Sequence, residues 1–273
     1  MGERFRGRRA LVTGSSRGIG AGIAERLAAE GADVVLTART LDTHEHLAGS
    51  LTETAERLAK YGTKVAIVVA DLIDETDRAR IIPEAADALG GHIEILVNNA
   101  AASIQAPLTG FSVKRRNIMF EANVNAPIDL ALAALPAMIE AGEGWIVNLS
   151  SGSARLWDGP PFDVGPSGPR IAAYGASKAA LNRITNGLAA EVYGTGVRVN
   201  TVEPRAAVLS EGAAAIVGAT LRPDQIESME AMVEGTLVLC DCGPDVTGRI
   251  TVSLDNIAEW GLTVCGLDGL PLT

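Results

Sequence analysis

The sequence predicts an α/β fold, a doubly wound seven-stranded parallel sheet in three αβα layers, and three observations carry that expectation. Short apolar runs alternate with amphipathic stretches along most of the chain, as in a parallel sheet covered by helices on both faces. The first of these runs, Ala10-Leu11-Val12, passes through the glycine-rich stretch Thr13-Gly14-Ser15-Ser16-Arg17-Gly18-Ile19-Gly20 into a helical stripe. The chain also has the size for such a fold: 273 residues at 47% hydrophobic content can bury a full core. One domain spanning 1–273 is expected, with a C-terminal extension from about 254.

Each element has its own signal. Ile19, Ile23 and Leu27 recur at helical spacing over Gly18 to Glu30, and Gly31 can end that helix. Asp33 to Ala38 reads as the second strand. The stretch Leu41 to Tyr61 divides into a polar loop, Leu41 to Ser50, and a helix, Glu53 to Lys60. Lys64 to Ala70 is the third strand, Glu75 to Leu89 a helix, and Ile93 to Val97 the fourth strand. A long helix is expected from about Arg116 to Glu140, then Trp145 to Leu149 as the fifth strand. Ala172 to Tyr193 reads as a helix, Val197 to Val202 as the sixth strand, Asp224 to Leu239 as a helix, and Arg249 to Val252 as the seventh strand. No repeat or low-complexity segment divides them.

Composition narrows the function. A formal charge of -10 argues against a nucleic-acid or anionic-membrane partner. The basic N-terminus lacks the apolar h-region of a signal peptide, and no membrane span is expected. Cys240, Cys242 and Cys265 form a poor zinc set, so they read as structural thiols of a reducing cytosol. His44 and His46 have no third ligand nearby and read as part of a solvated loop.

The chemistry begins at the strand–glycine–helix junction. Free N–H groups and the positive end of the helix dipole point over such a turn, and glycines let a pyrophosphate come close, which makes Gly14, Gly18 and Gly20 cofactor candidates. Their spacing, G-x-x-x-G-x-G, departs from the G-x-G-x-x-G fingerprint. Further along, Tyr174-Gly175-Ala176-Ser177-Lys178 places a phenol and an ammonium at i and i+4, on one helix face. A nearby cation can lower a phenol's pKa from about 10 by ~1–3 units, which predicts an activated Tyr174.

Thr-Gly-x-x-x-Gly-Ile-Gly, then Asn98-Asn99-Ala100 after the fourth strand, Leu149-Ser150-Ser151 after the fifth, and Tyr174-x-x-x-Lys178 follow one another in an order that resembles the short-chain dehydrogenase/reductase family. These are one-domain NAD(P)-dependent oxidoreductases with a Rossmann fold, and the likeness covers residues 10 to about 205. The resemblance implies a cofactor site formed by Gly14, Ser16, Arg17, Gly18, Ile19, Gly20, Arg39, Asp71, Leu72, Asn99, Ala100, Tyr174, Lys178 and Pro204, with Asp71 at the adenine amino group. It implies a catalytic group of Asn123, Ser151, Tyr174 and Lys178. The tyrosine would exchange a proton with the alcohol or carbonyl oxygen, and the serine would hydrogen-bond that oxygen. The lysine would also hold the nicotinamide ribose, and Asn123, in a helix kink beside Asn125, would hold a relay water. The resemblance further implies a homodimer or homotetramer paired through the 116–140 and 172–193 helices, rich in small residues such as Ala131, Ala133, Ala134, Ala137, Ala179, Ala180, Ala189 and Ala190.

Several features depart from the family pattern. Ala101 replaces a glycine. Ser151 and Tyr174 stand 23 positions apart, and the stretch between them includes a Pro/Gly-rich insertion whose Trp157 and Phe162 either line a substrate mouth or anchor the loop. Pro204-Arg205 replaces Pro-Gly, and Leu209 with Ser210 stands where a threonine is common. The extension past the seventh strand either caps an active site or covers the sheet edge.

NADP is expected as the cofactor, ahead of NAD. An acidic residue at the end of the second strand would bind ribose hydroxyls and repel a 2′-phosphate, but here Arg39 stands 19 positions after Gly20. Arg17 is expected to reach the same phosphate from the other side. The sequence thus points to a cytoplasmic NADP-dependent oxidoreductase acting on a small secondary alcohol or ketone, with no metal. The alternative is a catalytically silent dinucleotide-binding regulator or scaffold, and an intact Tyr-x-x-x-Lys argues for the enzyme.

Overall fold

A computed structural model of the chain describes residues 3–43, 48–164, 168–209 and 225–272. His44, His46 and Ser210 lie outside these residues, as does Asp224, where the sixth predicted helix was expected to begin. Seven parallel strands form one sheet in the order β3-β2-β1-β4-β5-β6-β9. They are β1 (Arg9–Thr13), β2 (Asp33–Ala38), β3 (Val65–Val69), β4 (Ile95–Asn98), β5 (Gly144–Leu149), β6 (Val197–Glu203) and β9 (Ile250–Val252). The order reverses between β1 and β4, and an open α/β sheet binds its ligand at the carboxyl ends of the strands at such a point.

Both faces of the sheet are apolar because neighbouring residues of each strand face opposite ways. Val12, Leu36 and Val97 pack under α1 (Gly18–Ala29), α2 (Leu51–Leu58) and α7 (Met229–Leu237). On the other face Leu11, Val35, Leu96 and Ile146 meet α3 (Glu75–Leu89), α5 (Ala126–Ala141) and α6 (Ala172–Glu191). The helix starts are chemically explicit. Ser50 caps α2, Asp74 caps α3, Ser112 caps α4 (Val113–Phe120) and Ser228 caps α7 through side-chain oxygens. By contrast, α1 starts at Arg17 with no side-chain cap, so its first N–H groups keep their capacity for an anion.

Three predicted elements change. The single helix over 116–140 is α4 and α5 joined by a π-turn at Glu121–Asn125, an irregularity of hydrogen bonding that side-chain periodicity does not register. The helix expected from Asp224 starts at Met229, after the Ser228 cap. Before it, β8 (Ile226–Glu227) pairs with β7 (Ala207–Val208), a non-local pairing of two residues. The C-terminal extension opens as a helix, α8 (Ser253–Trp260), and then folds through a Cys265–Pro271 bridge. Its Trp260, Leu262 and Leu267 pack on the core beneath α1 and α7.

Two expectations from composition also need adjustment. The continuous helix Val113–Ala141 is long and apolar enough, by length and composition, to cross a membrane; here Leu130, Ala134 and Met138 spend its apolar side on the sheet. The acidic average conceals Lys114, Arg115 and Arg116, an exposed basic run at the start of α4.

Candidate active site

A cleft of about 1030 Å³ opens at the switch point. Gly14, Ser16, Arg17, Gly18, Ile19, Arg39, Asp71, Leu72, Asn99 and Ala100 line it, so ten of the expected cofactor residues converge on one cavity. Gly20 sits beneath it. A Cβ there would lie 2.3 Å from Asn99 Nδ2 and 2.5 Å from the Gly14 carbonyl oxygen, so glycine is required by close packing. Asn99 Nδ2 donates to the carbonyls of Thr13 (2.9 Å) and Gly14 (3.2 Å), and Thr13 Oγ1 accepts from the N–H groups of Asn99 and Ala100, both at 3.0 Å. The glycine turn and the Asn-Asn-Ala segment are therefore one hydrogen-bonded unit. A glycine cradle of this shape, an uncapped helix start and a cavity of this volume fit a dinucleotide.

The cleft wall also contains Ala38, Thr40, Leu41, Asp42, Thr43, Ala70, Ile73, Ala101, Ala102, Ile118 and Ala122, which motif reading missed. Ile118 and Ala122 stand at i and i+4, a helical spacing that could have flagged them. Tyr174, Lys178 and Pro204 do not line this cavity. The helix that carries Tyr174 and Lys178 is tied to the Ala102 end of the cavity through Asn123 and Ser177.

Asn123 makes the connection. Fully buried in the π-turn, its Oδ1 accepts from Ala102 N at 2.7 Å, while its Nδ2 donates to the Ala102 carbonyl (2.9 Å) and to Ser177 Oγ (3.0 Å). Ser177 Oγ in turn donates to the Tyr174 carbonyl at 2.7 Å. Both functions of the amide are thus engaged inside the protein. Asn125 instead donates to Glu121 Oε1.

Ser151 follows β5 at the start of a one-turn 3-10 helix, Gly152–Ala154, where its Oγ accepts from Ser153 N (3.2 Å) and Ser153 Oγ (2.9 Å). This turn presses on α6. A Cβ at Gly175 would lie 2.3 Å from the Ser153 carbonyl oxygen, so glycine inside Tyr-x-x-x-Lys is a packing requirement that the motif alone does not reveal. Lys178, 2% exposed, donates from Nζ to the Leu149 carbonyl at 2.7 Å and stands 5.9 Å from the centre of the Tyr174 ring.

The electrostatics differ from the expected activation. Burial pushes the half-buried Tyr174 phenol up, against a smaller lowering by its hydrogen bond with Ser151. Burial also depresses the Lys178 ammonium to about 8. With no counter-charge close to it, the lysine still carries its charge below about pH 8 while the phenol stays protonated, and at 5.9 Å from the ring centre it does not outweigh the burial that raises the phenol, contrary to what its sequence spacing suggested.

Arg17 lines the cleft but has partners of its own. Its Nε and Nη2 donate to the carbonyls of Ala48 (2.7 Å) and Gly49 (2.6 Å), so its guanidinium braces the loop after β2 against the glycine turn. Gly49, at φ 92°, fits there because a Cβ would lie 2.7 Å from the Ser16 carbonyl oxygen. Arg39 remains at the cleft, with its side chain 66% exposed and Nη1 3.9 Å from Asp71 Oδ2.

Beyond the catalytic candidates, the departures find partners. Arg205 turns away, donating its N–H to Glu227 Oε2 at 2.7 Å and its guanidinium to Asp255 of α8. Arg155 pairs with the buried Glu203 at the end of β6, which ties down the start of the insertion. Trp157 and Phe162 are exposed and do not line the cleft, and a Cβ at Gly159 would fall 2.5 Å from the Phe162 ring. Cys240 and Cys242 are buried free thiols, and among the described residues no group of three or more His, Cys, Asp or Glu side chains could hold a metal.

Comparison with known proteins agrees with this geometry. The family model described as short chain dehydrogenase matches residues 8–216. An uncharacterized oxidoreductase of Staphylococcus saprophyticus is 35% identical over 197 residues, 71% of this chain and 76% of that protein. Among solved structures, a 3-oxoacyl (acyl-carrier-protein) reductase from Agrobacterium tumefaciens with NADP bound is 28% identical at a TM-score of 0.76, over 91% of this chain and 93% of that one. A short chain dehydrogenase from Mycobacterium thermoresistibile is 25% identical at a TM-score of 0.81, over 98% and 95%. The chain belongs to the short-chain dehydrogenase/reductase family and is an oxidoreductase of its NAD(P)-dependent kind.

Proposed function

We propose that this oxidoreductase uses NADP in preference to NAD to interconvert a secondary alcohol and a ketone, with Tyr174 as the acid/base. The observation that carries the reading is the joint placement of Ser151, Tyr174 and Lys178 at the end of β5, next to a cleft walled by the glycine turn. When bound, the dinucleotide supplies or accepts the hydride.

The rest falls to the chain's own residues. Gly14, Gly18 and the uncapped start of α1 hold the pyrophosphate, while Asp71 and Leu72 flank the adenine. Ser151 donates a hydrogen bond to the reacting oxygen, and Tyr174 gives it a proton in reduction or takes one in oxidation. Lys178, charged, favours the phenolate that is left and orients the ribose. Asn123 holds the 102 loop and the tyrosine helix in register.

The cofactor preference rests on Arg39. At the end of β2 a guanidinium can meet a 2′-phosphate in bidentate fashion, and no carboxylate occupies that position to repel it. The NADP bound in the Agrobacterium tumefaciens structure supports the same assignment. A panel of ketones and secondary alcohols, followed by reduced-nicotinamide fluorescence, tests the reading. Turnover with at least one class, faster with the phosphorylated cofactor, is expected. Dinucleotide binding without turnover across the panel would overturn it.

A further inference from the structure

Outside the motifs, one buried charge joins the Leu72–Ile73 wall of the cleft to the π-turn that carries Asn123. Arg78, 6% exposed, lies in the first turns of α3 and lines a second, separate cavity with Ile73, Glu121, Asn125 and Asp129. Its Nη1 donates to the carbonyls of Leu72 (2.9 Å) and Ile73 (3.3 Å), two residues of the cleft wall beside Asp71. The same Nη1 is 2.9 Å from Glu121 Oε2, at the first residue of the π-turn, and Nε donates to Asp129 Oδ2 of α5 at 2.7 Å. Its neighbour in sequence completes the clasp, since Asp77 Oδ2 accepts from Asp71 N at 2.7 Å.

Glu121 is engaged twice, because its Oε1 accepts from Asn125 Nδ2 at 2.8 Å. The π-turn is therefore gripped at its first and last residues, with Asn123 between them reaching Ala102 and Ser177. Only a planar guanidinium serves carbonyls on one side and two carboxylates on the other. A buried guanidinium so satisfied has few alternative positions, since losing an arm leaves its own N–H groups short of a partner, although the Glu121 and Asp129 carboxylates are themselves partly exposed.

We propose that Arg78 is a positioning residue. By joining the Asp71–Ile73 segment to the π-turn that carries Asn123, it makes occupancy of the adenosine end and the setting of the tyrosine helix depend on each other. The proposal rests on the reading of the cleft as a dinucleotide site.

Three variants of the full chain, Arg78→Met, Arg78→Lys and Glu121→Gln, separate this role from a merely stabilising one. Dinucleotide affinity is read by calorimetry, kcat at saturating cofactor with the substrate found above, and folding by circular dichroism at the assay temperature. Arg78→Met is expected to weaken NADPH binding and to lower kcat, each on the order of tenfold. Arg78→Lys should recover part of the binding loss. Glu121→Gln, which weakens only the arm to the π-turn, should lower kcat severalfold with NADPH affinity within about twofold. Unchanged affinity and kcat in a folded Arg78→Met, with only a lower melting temperature, would overturn the proposal. If Arg78→Met does not fold, an unchanged kcat in Glu121→Gln overturns it instead. Failure of the unmodified protein to bind any dinucleotide would overturn the functional reading, and the proposal with it; normal wild-type binding with indifferent variants refutes the proposal alone.

Discussion

The Lys178 ammonium donates to the Leu149 carbonyl at 2.7 Å with its centre 5.9 Å from that of the Tyr174 ring, so the cation is held by the end of β5 more directly than by the phenol. Burial holds its pKa at about 8, below the ordinary lysine value of 10.5. Below about 8 the lysine is charged in both folded and unfolded chains, and the full desolvation cost is present. Between about 8 and 10.5 the unfolded chain retains a proton that the native one has released, so stability rises with pH. Tyr174 acts in the opposite sense only above its ordinary value of 10, where the unfolded phenol ionises and the buried one does not. From pH 8 to 10, urea unfolding of the cofactor-free protein should therefore show stability rising by roughly 2–3 kcal/mol relative to Lys178→Met. Parallel profiles for the two proteins would contradict the burial argument.

Removing the acid/base should separate chemistry from binding. Tyr174→Phe is expected to lower kcat on the order of 10²–10⁴-fold while NADPH affinity stays within about threefold. Ser151→Ala should also lower kcat, since Ser151 is the hydroxyl that hydrogen-bonds Tyr174. More than a tenth of wild-type turnover in the Tyr174 variant would require another proton donor.

The two arginines at the cleft rim should respond differently to substitution. Arg39→Asp is expected to weaken NADP binding by at least about tenfold and to leave NAD binding nearly unchanged, because only one of them carries the 2′-phosphate. Arg17→Ala, by releasing the carbonyls of Ala48 and Gly49, should weaken both to a similar extent. Calorimetry at a single salt concentration distinguishes the patterns, and a selective loss of NADP on Arg17→Ala would return Arg17 to the phosphate.

Assembly should use less of the helical alanine than its abundance suggests. Ala131, Ala134 and Ala189 are buried in the core of their own subunit, whereas Leu132, Ala133 and Ile139 stay exposed on α5. A closed dimer or tetramer that covers this stripe is expected, and light scattering at micromolar concentration should give a multiple of the 28.2 kDa chain mass. Leu132→Glu should dissociate it. A purely monomeric wild-type protein would rule out the assembly.

Local patterns made much of this legible. The strand–glycine–helix junction, the two-residue alternation of the strands and the i, i+4 relation of Tyr174 to Lys178 are short-range facts, and they placed the sheet, the cleft and the pair. What escaped notice depends on distant partners. The destination of Arg17 is settled by a loop some thirty residues away, and the π-turn by hydrogen bonds that leave the apolar stripe of α4–α5 intact. Arg78 looks like any charged residue of an amphipathic helix until three separate segments close around it. The direction of the Tyr174 shift likewise depends on burial, which no spacing encodes.

The missing side chain at Gly175 works as a shim. With the Ser153 carbonyl oxygen 2.3 Å from where a Cβ would be, one added methyl wedges the serine turn away from the tyrosine helix by something near an ångström. Displacements of that size can cost a catalyst two orders of magnitude with every reactive group still present. Residue 175 is thus a spacing control between hydroxyl and phenol. A designer wishing to admit bulkier or more crowded carbonyls could adjust it, and a chance variant there would yield a protein that folds and loads its cofactor but has lost its alignment.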